Sequence, residues 1–118
     1  FWTEVDIPAS WIGKKIFIDI GQYRHRIEIY VNQQLAGYDL IALTPYRANI
    51  SAFVKPGKNQ LAFRLTNPGG IRGWEDFRLI PWGKYMLPAT PDFMGIGGDV
   101  RLSATDDIYI KDVFVKNL

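Results

Sequence analysis

Residues 15–35 read KIFIDIGQYRHRIEIYVNQQL, and this stretch decides the fold class. Isoleucine occupies every second position from residue 16 to residue 20, and apolar side chains return at every second position over 27–31. A period of two is typical of half-buried strands, because successive side chains of a strand point to opposite faces of a sheet. Asn32-Gln33 follows where a tight hairpin turn is expected, since asparagine tolerates positive φ.

The same alternation continues on the C-terminal side of this stretch. It recurs over 61–66, over 100–102 and over 108–115, while Pro56-Gly57 marks a turn. No stretch of 10–15 residues has the 3.6-residue period of a helix. Short strands separated by turns predict an all-β antiparallel sandwich. Its expected core members are Ile18, Ile29, Val31, Phe63, Leu65 and Leu102.

The composition restricts the classes of function. A chain of 118 residues suffices for one domain and is too short for a (β/α)₈ barrel, which needs roughly 200 residues. The absence of cysteine excludes disulfides, thiol nucleophiles and cysteine-bound metals. The net charge is +2, and the basic residues are scattered rather than gathered in a stripe, which argues against a nucleic-acid partner. No apolar run approaches the roughly 20 residues of a membrane span.

Side chains suited to catalysis are scarce. The chain has three glutamates, and Glu4 and Glu28 alternate with apolar neighbours on predicted strands, so we expect them to face solvent. Glu75 stands beside Asp76 in a predicted loop, where the two carboxylates would point apart. His25 is the only histidine, which leaves little basis for a Ser-His-Asp triad or a histidine-rich metal site. We expect no catalysis, no cofactor and no metal, with calcium at the aspartates near residue 106 as a minor alternative.

Residues 68–98 interrupt the strand pattern and hold seven of the eleven glycines and four of the seven prolines. A loop of this length in a compact domain is usually functional or packs on itself. Trp74, Trp82 and Tyr85 lie in it, and aromatic rings stack on the flat C–H faces of sugars. These three residues are therefore candidates for carbohydrate binding. The alternative is that their rings are buried against the sandwich or against another domain.

Four segments carry a resemblance to a known family. They are residues 7–16 (IPASWIGKKI), 29–38 (IYVNQQLAGY), 43–61 with its LTPY and KPGKNQL, and 95–102 (GIGGDVRL). In order and spacing they resemble the N-terminal sugar-binding domain of glycoside hydrolase family 2. The chain departs from the family's pattern at two places, since Gln33 replaces a glycine and Gly97-Gly98 replaces an aromatic residue and an arginine.

The resemblance implies a galactose-binding-like jelly roll in which Trp2 and Trp11 are core residues. In this family, which includes β-galactosidases and β-glucuronidases, an immunoglobulin-like sandwich and a (β/α)₈ barrel follow, and both catalytic glutamates lie on the barrel. Residues 1–118 would then be a single non-catalytic domain, and the strand-like sequence at both ends suggests a domain cut out of a larger enzyme. It would brace the barrel and place loop residues, among them Asp92, at the rim of the substrate pocket.

The partners that this resemblance implies are a β-galactoside or a related glycoside and the immunoglobulin-like and catalytic domains of the same parent chain. A periplasmic or secreted parent is expected rather than a cytoplasmic one. Two rival interpretations stay open. One is an autonomous carbohydrate-binding module that uses the loop aromatics, and the other is an adhesion sandwich with no role in sugar binding.

Overall fold

The computed structural model describes residues 1–24, 26–41, 44–66 and 95–116. Within these residues the chain forms one 3-10 turn at Ala9–Trp11 and nine strands. The strands are β1 (Trp2–Ile7), β2 (Lys15–Ile20), β3 (Tyr23–Arg24), β4 (Arg26–Val31), β5 (Gln34–Asp39), β6 (Tyr46–Asn49), β7 (Gly57–Thr66), β8 (Gly95–Ile96) and β9 (Val100–Thr105). The all-β prediction is confirmed.

Every strand pairing in the described residues is antiparallel. The larger sheet has four strands in the order β1-β7-β4-β5, the second has three in the order β6-β2-β9, and β3 and β8 form a short ribbon. Neighbouring strands are often distant in the sequence, as where Ile18 of β2 pairs with Leu102 of β9. The fold is therefore the antiparallel sandwich that the alternation predicts.

The core lies between the two larger sheets, because alternation gives each of them one apolar face. Its fully buried members from β2 and β4 are Ile16, Ile18, Ile20, Ile27, Ile29 and Val31. Phe63 of β7 joins them, whereas Leu65 and Leu102 are half-buried and pack against the cluster. Trp11 also packs against it, in agreement with the position that the resemblance implies.

Two asparagines from the motifs quoted above connect the turns that shape the larger sheet. Asn32 and Gln33 have φ angles of 49° and 69° in the turn between β4 and β5, which confirms the predicted hairpin. Asn32 Nδ2 donates to Asn59 Oδ1 at 2.8 Å and to the Phe53 carbonyl at 2.9 Å. Asn32 Oδ1 accepts from the amide of Gln60 at 3.1 Å. The hairpin is thus tied to the beginning of β7.

The predicted loop over 68–98 is too long at its C-terminal end, because Gly95–Ile96 form strand β8, which pairs with β3. A Cβ atom at Gly98 would lie 2.8 Å from the backbone nitrogen of Gln22 and 3.0 Å from the carbonyl carbon of Gly21. Backbone atoms cannot rotate away as a side chain can, so this close approach requires glycine. Beside it, the amide of Gly97 donates to the Gln22 carbonyl at 3.0 Å. At Gly98 the departure from the family pattern therefore has a local cause.

The prediction that Trp2 is a core residue is wrong. Its side chain is 69% exposed, because the register pairs it with Ala62 on the outer face of the larger sheet. Val5 and Ile7 of the same strand face the core instead.

The predicted strand over residues 108–115 is also wrong. These residues follow β9 without forming a strand, and the side chains of Ile108 and Ile110 are exposed. Alternation alone does not make a strand, because the backbone groups of a strand need a hydrogen-bonded neighbour. Tyr109 nevertheless contacts the sandwich, since its ring packs edge-on against Phe17 of β2 with 5.5 Å between the ring centroids.

Candidate functional site

The predicted carbohydrate-binding residues Trp74, Trp82, Tyr85 and Asp92 lie outside the residues that the structure describes. Their role therefore stays a prediction. The described residues carry their chemistry in three clusters of charged and aromatic side chains, centred on carboxylates or on a buried phenol.

The two described glutamates are too far apart for glycoside hydrolysis. Such catalysis needs two carboxyl groups about 5–9.5 Å apart. Glu4 on β1 and Glu28 on β4 face the same side of the larger sheet with β7 between them, and their partners on β7 are Gln60 and Arg64. With about 4.8 Å between strands and about 3.4 Å per residue, the Cα atoms of the two glutamates are roughly 17 Å apart.

Glu28 is the centre of the first cluster, and the prediction that it faces solvent is wrong. Its side chain is only 8% exposed although it lies on the outer face of the larger sheet. Arg26 donates to Glu28 Oε1, and the Tyr30 hydroxyl donates to Oε2 at 2.9 Å. Arg64 Nη1 lies 3.5 Å from Oε2 across the pairing with β7. The spacing Arg26-x-Glu28-x-Tyr30 places three of these groups on one face of a strand, and this spacing is the sequence signal from which the cluster could have been predicted.

The surroundings of Glu28 keep its carboxylate ionised. The hydrogen bond from Tyr30, with the charges of Arg26 and Arg64, holds the pKa of Glu28 below its ordinary value, although burial acts in the opposite direction. A lowered pKa means that the folded protein binds this proton more weakly than the unfolded chain does. The cluster therefore stabilises the fold above the ordinary pKa of glutamate, about 4.3, and this contribution is lost as the pH falls through the folded pKa.

Replacing Glu28 by glutamine tests this linkage. We expect Glu28→Gln to lower the free energy of unfolding by about 1–3 kcal/mol at pH 7, because hydrogen bonds to a charged group are lost. The deficit should shrink as the pH falls from 5 towards 3, as the wild-type carboxylate takes up its proton. Urea unfolding across this range measures both effects. Glu4→Gln, at an exposed site where Lys58 Nζ lies 3.6 Å away, is the matched control and should change stability little. A deficit that stays constant with pH would contradict the linkage.

The second cluster lies on the outer face of the three-stranded sheet. Asp19 of β2 accepts from Arg47 Nη2 at 3.2 Å and from Ser103 Oγ at 3.0 Å, and the Arg47 guanidinium lies over the Phe17 ring at 5.2 Å. Burial raises the pKa of Asp19. The hydrogen bonds from Arg47 and Ser103 and the charges of Arg47 and Arg101 lower this pKa by more than burial raises it, so the net shift is downward. This cluster links β6, β2 and β9, and its carboxylate is fully engaged.

The third cluster surrounds the buried hydroxyl of Tyr23, which donates to the Asp39 carboxylate and lies 2.6 Å from the Ile41 carbonyl oxygen. Burial, and then the neighbouring Asp39, raises the pKa of Tyr23 well above its ordinary value. Its ring packs edge-on against Tyr46 with 6.4 Å between the centroids. A phenol that stays protonated at neutral pH does not act as a base there. We therefore assign Tyr23 a structural role, in which its hydroxyl fixes the end of β5.

Among the described residues, no group of three or more His, Cys, Asp or Glu side chains is placed to hold a metal ion. The same part of the chain contains no helix that is long and apolar enough to cross a membrane. The Tyr23 side chain is buried, and the Asp19 carboxylate contacts a single arginine, Arg47, whose side chain is 47% exposed. The cluster around Glu28 differs, because two arginines, Arg26 and Arg64, lie at one carboxylate with side chains that are 48% and 68% exposed. It is therefore the described site best suited to contact a ligand.

The comparisons with known proteins agree with this fold. No model of a protein family matches the chain. Over 92% of its length the chain is 25% identical to a β-glucuronidase from Paenibacillus borealis, and over 87% it is 30% identical to a β-galactosidase from Streptococcus thermophilus. A solved β-glucuronidase from Ruminococcus gnavus matches 56% of the chain at 34% identity with a TM-score of 0.53. The resemblance to the N-terminal domain of glycoside hydrolase family 2 is confirmed.

The chain corresponds to a small part of each relative. It covers 20% of the Paenibacillus β-glucuronidase, 9% of the Streptococcus β-galactosidase and 12% of the Ruminococcus chain. Such shares are consistent with one accessory domain of a longer glycosidase.

Proposed function

We propose that residues 1–118 form a single non-catalytic accessory domain of a family 2 glycoside hydrolase. The observation that carries this proposal is the coverage. The chain aligns over 87% or more of its own length with glycosidases of which it covers 20% or less. The wide separation of Glu4 and Glu28 supports it, because the two described glutamates are too far apart to act as a catalytic pair in hydrolysis.

Within the parent enzyme the domain braces the catalytic barrel and contributes to the rim of the substrate pocket. The relatives are named β-galactosidases and β-glucuronidases, so the carbohydrate is a β-galactoside or a related glycoside. In this proposal Trp74, Trp82 and Tyr85 stack on the sugar or on the barrel, and Asp92 reaches the pocket. The exposed apolar side chains of residues 108–115 support contact with a further domain of the same chain, because contiguous apolar exposure marks an interaction surface.

The test compares three proteins on a panel of nitrophenyl glycosides: the 118-residue chain, the enzyme that carries it, and that enzyme without residues 1–118. We expect no turnover by the isolated chain, turnover by the complete enzyme, and at least a tenfold loss of kcat/KM with a lower melting temperature after deletion. Turnover by the isolated chain that survives repurification and disappears in Glu75→Gln would contradict the proposal. Unchanged kcat/KM and melting temperature after deletion would favour an autonomous carbohydrate-binding module instead.

A further inference from the structure

On the outer face of the larger sheet, two aromatic residues lie on either side of a small one. The register places Trp2 of β1, Ala62 of β7 and Tyr30 of β4 in one row, and directly paired residues share a face. Because Ala62 has only a methyl side chain, the row is low at its centre. Two strand spacings separate Trp2 from Tyr30, about 9.6 Å between their backbones. If a flat ring contacts one aromatic side chain on each of its faces, the two aromatic side chains must be roughly 7–8 Å apart, which is twice the carbon–carbon contact distance. The strand spacing is wide enough for this arrangement. We call this feature the Trp2–Tyr30 groove.

One end of the Trp2–Tyr30 groove is positively charged. Arg64 follows Ala62 on the same face of β7, about 6.8 Å further along the strand. It pairs with Glu28, and Arg26 lies on the far side of that carboxylate. Among the described residues, two guanidinium groups share this one carboxylate, which leaves one positive charge of the cluster without a paired carboxylate. Each guanidinium has five N–H donors, and a single carboxylate cannot take them all.

The charged end is also held in a fixed geometry. The Tyr30 hydroxyl donates to Glu28, so its ring is held in place along the strand. The buried Glu28 carboxylate in turn holds both arginines, whose side chains stay partly exposed to solvent. Groups ordered before a ligand arrives lose little entropy when it binds.

We propose that the Trp2–Tyr30 groove binds an oligosaccharide that contains uronic acid. One sugar ring lies over Ala62 between Trp2 and Tyr30, and the carboxylate of a uronic acid residue accepts hydrogen bonds from Arg64 and Arg26. Charge complementarity selects an acidic ligand, since the planar guanidinium group of arginine can donate two parallel hydrogen bonds to a planar carboxylate. The narrow floor selects a slim chain over a broad protein surface. This site differs from the loop residues of the proposed function and needs no parent enzyme, so either proposal can fail alone.

The test titrates the 118-residue chain by isothermal calorimetry with trigalacturonate, with its methyl ester, and with an oligoxyloside that carries a glucuronic acid residue. We expect saturable binding of at least one acid, weakened by added salt because the contact is ionic. If trigalacturonate is the acid bound, its methyl ester should bind at least tenfold more weakly. Arg64→Gln should weaken binding of the acid at least tenfold and leave any binding of the ester unchanged. Trp2→Ala should weaken binding of both. Arg101→Gln removes an exposed arginine from the other sheet and is the matched control, with unchanged affinity expected.

Failure of both acids to bind would overturn the proposal, as would equal binding of trigalacturonate and its ester. Binding that persists in Trp2→Ala and Arg64→Gln would place the sugar elsewhere and would also overturn it. Self-association of the chain that Trp2→Ala abolishes, without any sugar binding, would show that the groove is a contact between protein copies. Far-UV circular dichroism of each variant confirms that the loss of binding is not a loss of fold.

Discussion

Replacing Asn59 by alanine is expected to lower the free energy of unfolding by about 3–4 kcal/mol, which is large for one polar side chain. Asn59 is 1% exposed, and all four hydrogen-bonding positions of its amide are used. Its Oδ1 accepts from Asn32 Nδ2 at 2.8 Å and from the Lys55 amide at 2.9 Å, and its Nδ2 donates to the carbonyls of Lys55 and Gly57, each at 2.7 Å. Alanine would remove all four of these part-buried hydrogen bonds, at about 1–3 kcal/mol for each partner left unsatisfied.

Chemical denaturation in urea measures the loss, provided that the slope of the transition is unchanged. Lys58→Ala is the matched control. Its side chain is mostly exposed, so a change within about 0.5 kcal/mol is expected. A loss below about 1 kcal/mol in Asn59→Ala would mean that water replaces the amide and that the asparagine pair does not hold the hairpin to β7.

Truncating Ile29 should have an effect of similar size for a different reason. Ile29 is fully buried in the centre of the larger sheet, between Phe63 of β7 and Gly37 of β5. Ile29→Ala removes three carbon atoms from a packed interior, and we expect a loss of about 2–5 kcal/mol from lost burial and the remaining cavity. Ile29→Val removes one carbon and should cost about 0.5–1.5 kcal/mol.

The pair of Ile29 variants separates packing from secondary structure. Valine suits a strand as well as isoleucine does, so a graded loss from Val to Ala reports the volume removed. Thermal unfolding followed by circular dichroism checks the order of the two variants. Equal and small losses would show that the sandwich collapses around the cavity and that the core is looser than its burial indicates.

The sequence was most informative where alternation and turn chemistry agree. Ile18 and Ile29 lie on central strands with a neighbouring strand on each side. Their positions in the alternating apolar pattern were therefore enough to predict their burial correctly. Asn32-Gln33 predicted the hairpin because few residue pairs accept two positive φ angles. The motif asparagines were visible as well, but the bond between Asn32 and Asn59 joins residues 27 positions apart and needs the three-dimensional fold.

The wrong predictions have identifiable causes. Trp2 lies two positions from Glu4 on β1, and this spacing indicated an outer face, but the family pattern favoured the core. Glu28 was placed on the correct face, yet one of the side chains packed against it is Arg64, which is 36 residues away in the sequence. Residues 108–115 have the alternation of a strand without a hydrogen-bonded neighbour. The candidate sugar-binding residues of the 68–98 loop stay a prediction.

The pairing of β2 with β9 has a consequence for the order in which a nascent chain becomes protected. Ile18 and Leu102 are 84 residues apart, and at 5–20 residues per second the ribosome needs roughly 4–17 s to synthesise the segment between them. During that interval the β9 side of β2 has no partner strand, and an open strand edge is a template for pairing with other chains. β4 and β5 can close much earlier, because their hairpin is local. Aggregation during synthesis would therefore begin at β2, and conditions that slow translation between β6 and β9 would prolong the exposure.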